Sequence, residues 1–171
     1  MTGMATVTRL EETDWRKWRA LRLRALQNAP EAFVSTYEGT LSRDSEEYWR
    51  RYFSMPGPCF IATGEPPGGM VRLLAPTRSD EPAEIICMWV APERRRDGVG
   101  SALIRECIDW LADHHPTARI RLAVKEANDP ARALYERCGF EIIGRNPHND
   151  SELLMERGLH PAGTGPEATP R

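Results

Sequence analysis

The chain has 171 residues, 40% of them apolar and 28% charged, and its formal net charge is -2. That is one domain's worth of sequence, and the near balance of charge excludes a strongly basic nucleic-acid binder, so no nucleic-acid partner is expected. No run of about 18 apolar residues could span a membrane, and the opening MTGMATVTRLEETDW lacks the apolar segment of a secretory signal; a cytoplasmic protein with no membrane partner is expected.

In chain order, residues 5–10 read as a first strand. Asp14 is a candidate N-cap for a helix over 15–27, in which Trp15, Trp18, Leu21 and Ala25 fall at helical spacing, and Pro30 ends it. Asp44 and Glu47 have the spacing of a capping box and predict a second helix through Tyr48, Trp49 and Phe53. Residues 59–63 and 70–74 read as strands joined by the turn-rich GEPPGG. The near-continuous apolar run AEIICMWV, ending at Val90, predicts a central strand buried on both faces. The clearest helix covers 98–114, with Val99, Leu103 and Cys107 along one side. A strand over 120–124 follows. Asp129 then predicts a cap with Pro130 at the first helical position, Tyr135 and Cys138 on the inner face, and Gly139 as the stop. Strands over 140–143 and 153–156 complete an α/β mixture around one sheet. The end, 160–171, is rich in Gly and Pro and is expected to be a disordered tail behind a single domain over 1–159. Cys59, Cys87, Cys107 and Cys138 form no CxxC and have no neighbouring His pair, so free thiols are expected and a metal site is not.

The most informative stretch is VAPERRRDGVGSAL, which starts at Val90. A buried strand ends, an arginine-rich turn follows, and Gly98 and Gly100 open a helix. The first turn of a helix leaves backbone N–H groups without partners, and the macrodipole adds partial positive charge there. Glycines let a ligand approach that backbone, and Arg94, Arg95 and Arg96 add fixed charge beside it. Together these make a cradle for a diphosphate. Neither GxxxxGK[ST] nor GxGxxG is present, which excludes a P-loop and the dinucleotide fingerprint.

Arg95-Arg96-Asp97-Gly98-Val99-Gly100 matches the (Arg/Gln)-x-x-Gly-x-(Gly/Ala) motif of the GCN5-related N-acetyltransferase (GNAT) superfamily, which the sequence resembles. Asn128, Ala131, Leu134, Tyr135, Gly139 and Phe140, within NDPARALYERCGF, resemble that family's second motif. The resemblance implies a GNAT-like mixed, mostly antiparallel sheet of about six or seven strands flanked by about four helices, and makes 1–159 an acetyltransferase domain. It implies acetyl-CoA as donor and no metal. It also implies an acceptor that is a primary amine of a small molecule, protein or peptide, and leaves a homodimer open. Backbone near Arg95, Arg96, Asp97, Gly98, Val99, Gly100 and Ser101 would hold the pyrophosphate. Met88, Trp89 and Val90 would pair with the pantetheine arm, and Asn128 would contact it. Tyr135 would protonate the leaving sulfur, a task a phenol with a reference pKa of about 10 suits. Glu84, six residues before Val90, would be the general base. Phe33 and Tyr37, between the first two predicted helices, would shape the acceptor site, with the segment 146–150 as its other wall. Asp97 departs from the family pattern by placing a negative charge beside the cradle, unless it pairs with Arg94 or Arg95. The reading from a different class is a non-catalytic acyl-CoA-binding sensor, which would bind the donor without turnover.

Overall fold

Seven strands make a single sheet in a computed structural model that describes residues 5–159. The strands are β1 (Val7–Leu10), β2 (Cys59–Ala62), β3 (Gly69–Leu74), β4 (Ala83–Val90), β5 (Arg119–Lys125), β6 (Glu141–Asn146) and β7 (Asn149–Gly158). Their order across the sheet is β1-β2-β3-β4-β5-β7-β6. Every pairing is antiparallel except β4 with β5. The expected tail, 160–171, lies outside the described residues.

The helices are α1 (Trp15–Asn28), α2 (Tyr37–Leu41), α3 (Glu46–Ser54), α4 (Val99–His114) and α5 (Asp129–Arg137). Two cores follow from the alternation of the strands. On one face Val71, Leu73, Ile85, Ile120, Leu122 and Met155 pack with Leu103, Ile104 and Cys107 of α4 and Tyr135 of α5. On the other, Ile61, Met70 and Trp89 pack with Trp15, Trp18 and Leu21 of α1 and Trp49 and Tyr52 of α3. The sheet is thus sandwiched between helices, as the sequence predicts.

Three local expectations need correction. The cap of α3 is Ser45, whose hydroxyl accepts from the Tyr48 N–H at 3.1 Å. Asp44 binds Arg19 and the Trp49 indole instead. The cap of α5 is Asn128, with Asp129 already the first helical residue. The short helix α2, capped by Thr36, falls between the first two predicted helices, where no helix is predicted. Its five residues are too few for a hydrophobic period to show.

The structure also revises β4. It is not buried on both faces throughout: its first residues alternate, Glu84 is exposed, and Cys87, Met88 and Val90 are only partly buried. Between Met70↔Trp89 and Arg72↔Ile86, β4 advances one residue more than β3. The extra residue is accommodated at Cys87, whose φ of 55° lies in the left-handed region. Across the bulge Cys87 and Trp89 face the α1 side, while Met88 and Val90 face the opposite core.

Candidate active site

The parallel contact of β4 and β5 is short. Ala83, Glu84 and Ile85 lie opposite Ile120, Arg121 and Leu122, and no further rung follows. Past the bulge the strands separate, leaving the β5-side backbone of β4 from residue 86 onward without a strand partner. A cavity of about 1050 Å³ fills the gap. Met88, Trp89 and Val90 form one wall. The start of α4 (Gly98, Val99, Gly100 and Ser101) and α5 (Asn128, Ala131, Leu134 and Tyr135) form the next, and Lys125 and Ser151 close the far side.

The α4 end of the cavity is a cradle. Gly98 is the N-cap, at φ 76°. A Cβ built there would meet nothing within 4 Å, so the space before it is open to a ligand. The first intrahelical bond runs from the Ala102 N–H to the Gly98 carbonyl at 3.0 Å. The N–H groups of Val99, Gly100 and Ser101 therefore have no helical partner. Arg96, also at positive φ (68°), lines the cavity beside them with Arg94 and Arg95. Arg95 has a second task, since its Nε donates to the Val90 carbonyl at 3.2 Å. Asp97 does not line the cavity; its carboxylate turns to Arg94 at 3.9 Å. Pairing with Arg94 turns its carboxylate aside from the cradle.

Tyr135 is brought to the cavity from α5, with its ring edge-on to Phe140 at 6.1 Å. It is 7% exposed. Burial pushes its phenol well above the ordinary value, and Cys138 adds to the shift. The group therefore keeps its proton at neutral and moderately alkaline pH. The close match to a leaving thiol expected from the sequence is lost, and the hydroxyl is better suited to donating a hydrogen bond than to giving up its proton freely.

The other candidates divide. Asn128 lines the cavity, but its Oδ1 caps α5 by accepting from the Ala131 N–H at 3.3 Å. Phe33, Tyr37 and Glu84 are not among the lining residues. Phe33 lies under the Arg22 guanidinium at 4.5 Å, and Tyr37 begins α2 against the α1-side core. Glu84 is exposed on the same side of β4 as Trp89, three residues before the bulge. Residues 146–150 span the β6–β7 turn, and His148 in it is exposed.

Sequence reasoning did not single out Lys125, Ser151 or Glu31 as lining residues. Lys125 Nζ donates to Ser151 Oγ at 3.0 Å and pairs with Glu152 at 3.7 Å. Lys125 could have been noticed, because it is one of only two lysines and ends the strand beside the gap. Ser151 carries no sequence signal, since β7 reaches it only through the register with β5. Glu31 is the one carboxylate among the lining residues.

Comparison with known proteins agrees with this geometry. The profile of the Acetyltransferase (GNAT) family matches residues 13–140. A mycothiol acetyltransferase from Acidimicrobium ferrooxidans is 29% identical over 142 residues, 80% of this chain and 42% of that protein. One from Salinispora arenicola is 30% identical over 133 residues, 75% of this chain and 41% of that protein. The chain thus spans about two-fifths of the length of these curated relatives. Among solved structures, a GCN5-related N-acetyltransferase from Kribbella flavida aligns with a TM-score of 0.69 at 25% identity, covering 91% of this chain and 98% of that one. With the profile covering most of the chain and the sheet opening where the cradle faces it, this protein belongs to the GNAT acetyltransferase family.

Proposed function

We propose that the chain transfers an acetyl group from acetyl-CoA to a primary amine by direct attack. The observation that carries this reading is the opening between β4 and β5, which ends at the α4 cradle on one side and at Tyr135 on another. The fit to the donor is supported by three features. Free N–H groups and arginines suit a diphosphate. The unpaired edge of β4 suits an extended arm that adds like a strand. The cavity's volume suits a large ligand.

In the reaction the amine nitrogen bonds to the thioester carbon, the carbon–sulfur bond breaks, and the electron pair leaves on sulfur. Tyr135 donates a hydrogen bond to that sulfur and steadies the thiolate as it forms, and solvent then supplies the sulfur's proton. A β4 backbone N–H near Met88 or Val90 steadies the developing oxyanion. The amine's proton leaves to Glu84 through water, because Glu84 stands away from the cavity. The four free thiols support a reducing, cytoplasmic setting.

Calorimetric titration of the full chain with acetyl-CoA, CoA, ATP and NAD tests the donor site. Selective binding of the CoA species is expected, followed by release of free thiol when a panel of amines is supplied. Binding without release for every amine would replace the transferase with the sensor reading. No binding of any CoA species would end both.

A further inference from the structure

The basic side chains that line the cavity are not chemically equivalent. Arg94, Arg95, Arg96 and Arg137 carry guanidinium groups, which keep their protons and do not act as nucleophiles. Lys125 is the one primary amine among the lining residues, the same functional group as the acceptor proposed above. The sequence has one other lysine, Lys17. It stands on α1 outside the cavity lining, with its side chain 64% exposed beside Asp14.

The register of the sheet sets the height of Lys125 in the gap. The last rung between β4 and β5 joins Ile85 to Leu122. Lys125 stands three residues further along β5 and Met88 three further along β4, each about 10 Å beyond that rung at about 3.3 Å per residue. The residue taken up by the bulge brings Lys125 level with Met88 and Trp89, both of which line the cavity. That is the stretch of β4 to which the acetyl-transfer reading assigns the thioester carbonyl.

Two neighbours hold the amine at the cavity wall. Lys125 Nζ donates to Ser151 Oγ at 3.0 Å, and Ser151 Oγ donates in turn to Asn149 Oδ1 at 2.8 Å. Glu152 Oε1 lies 3.7 Å from Nζ. The other oxygen of this buried carboxylate accepts from Asn146 Nδ2 at 2.8 Å. Ser151 orients the nitrogen, and Glu152 is the carboxylate placed to take a proton from it.

We propose that Lys125 is a self-acetylation site, to which the chain transfers the acetyl group of its own bound acetyl-CoA when no acceptor occupies the cavity. The proposal rests on the acetyl-transfer reading above. Nζ gives a proton to Glu152 and bonds to the thioester carbon. The carbon–sulfur bond breaks, the electron pair leaves on sulfur, and solvent protonates the thiolate. Amine and thioester held in one cavity react without a bimolecular encounter, an advantage that Lys17 lacks. The amide that forms is uncharged and no longer nucleophilic, so the reaction stops at one acetyl group per chain. It also takes from Glu152 its cationic partner among the described residues.

The full chain is incubated with acetyl-CoA at neutral pH without added amine, and its peptides are mapped by mass spectrometry. One acetyl group is expected at Lys125, added at least about tenfold faster than at Lys17. CoA, measured by chromatography, should appear in a burst that ends near one per chain. The rate constant should not depend on protein concentration, because each amine attacks within its own cavity. Excess CoA, which fills the donor site without an acetyl group, should suppress labelling of Lys125 and not of Lys17. K125R should abolish the burst, with its melting temperature showing that the variant is folded. Labelling of Lys17 as fast as of Lys125 means chemical acetylation from solution and overturns the proposal. Labelling of Lys125 that is insensitive to CoA, or that speeds up in proportion to protein concentration, overturns it too. An unmodified Lys125 in a chain that binds acetyl-CoA by calorimetry ends the proposal and leaves the donor site standing. If no CoA species binds, the donor reading falls and self-acetylation falls with it.

Discussion

Tyr135 shows how a residue's environment edits the chemistry its identity suggests. As a phenol it is an obvious acid, but as a phenol on the buried face of α5 it holds its proton more tightly. Y135F is therefore expected to lower kcat by about a hundredfold, the lower end of the usual range for a lost hydrogen-bond donor to a developing anion, while calorimetric affinity for acetyl-CoA stays near wild type. Full activity in the variant would leave Tyr135 as a packing residue. Glu84 calls for a pH profile instead. E84Q should lower kcat/KM by at least about tenfold on the acid side of the acceptor's pKa, where the ammonium must lose a proton, and much less above it. An unshifted profile would remove Glu84 as base and turn attention to Glu31, which lines the cavity. At this scale the sequence was most legible where glycine punctuates it, because Gly98 and Gly139 mark backbone conformations that other residues reach with strain. The buried Arg22 reads in sequence like the other arginines of α1, although its spacing from Trp15 and Trp18 puts it on their buried stripe.

The elements are tied to one another by polar contacts that hydrophobic spacing does not encode. Asp44 precedes α3 but serves the junction of α1 and α3. Its Oδ1 accepts from Arg19 Nε at 2.7 Å and from the fully buried Trp49 indole at 2.6 Å. The Arg19 and Trp49 hydrogen bonds hold its carboxyl at about 2, below the unperturbed value. A depressed native pKa stabilises the fold fully above the unfolded value of about 4. That contribution is lost as pH falls from about 4 toward 2. D44A should cost about 1–2 kcal/mol at neutral pH, discounted for the partial exposure of the pair and including the stranded Trp49 N–H. The check is a denaturant midpoint at pH 7 and again at pH 3, where the gap between D44A and wild type should narrow. The sequence suggested Asp44 as a helix cap because its spacing to Glu47 fits that role equally well. Only the position of Arg19, 25 residues earlier on α1, turns the carboxylate elsewhere.

For the whole molecule, element type and order were readable because α4 and β5 carry strong periods, β4 is a continuous apolar run, and α5 and the turns carry Pro and Gly. Strand order and the gap were not, because parallel pairing between β4 and β5 and its early end depend on contacts between distant residues and on a one-residue bulge. That gap divides the sheet into a half made of β1–β4 and a half made of β5–β7, joined across the backbone by three rungs. Such a seam should open before either half does, so amides at 86–90 and 123–125 are expected to exchange with solvent faster than those of β2 and β3. A donor arm lying along β4 would slow exchange on the β4 side, and mass-resolved hydrogen exchange with and without acetyl-CoA would reveal it; equal protection in both states would argue against a strand-like arm. The donor then acts as a removable stitch. Cut in the 115–118 connection between α4 and β5, the two halves should rejoin more tightly in its presence, and the protein would work as a ligand-dependent clasp.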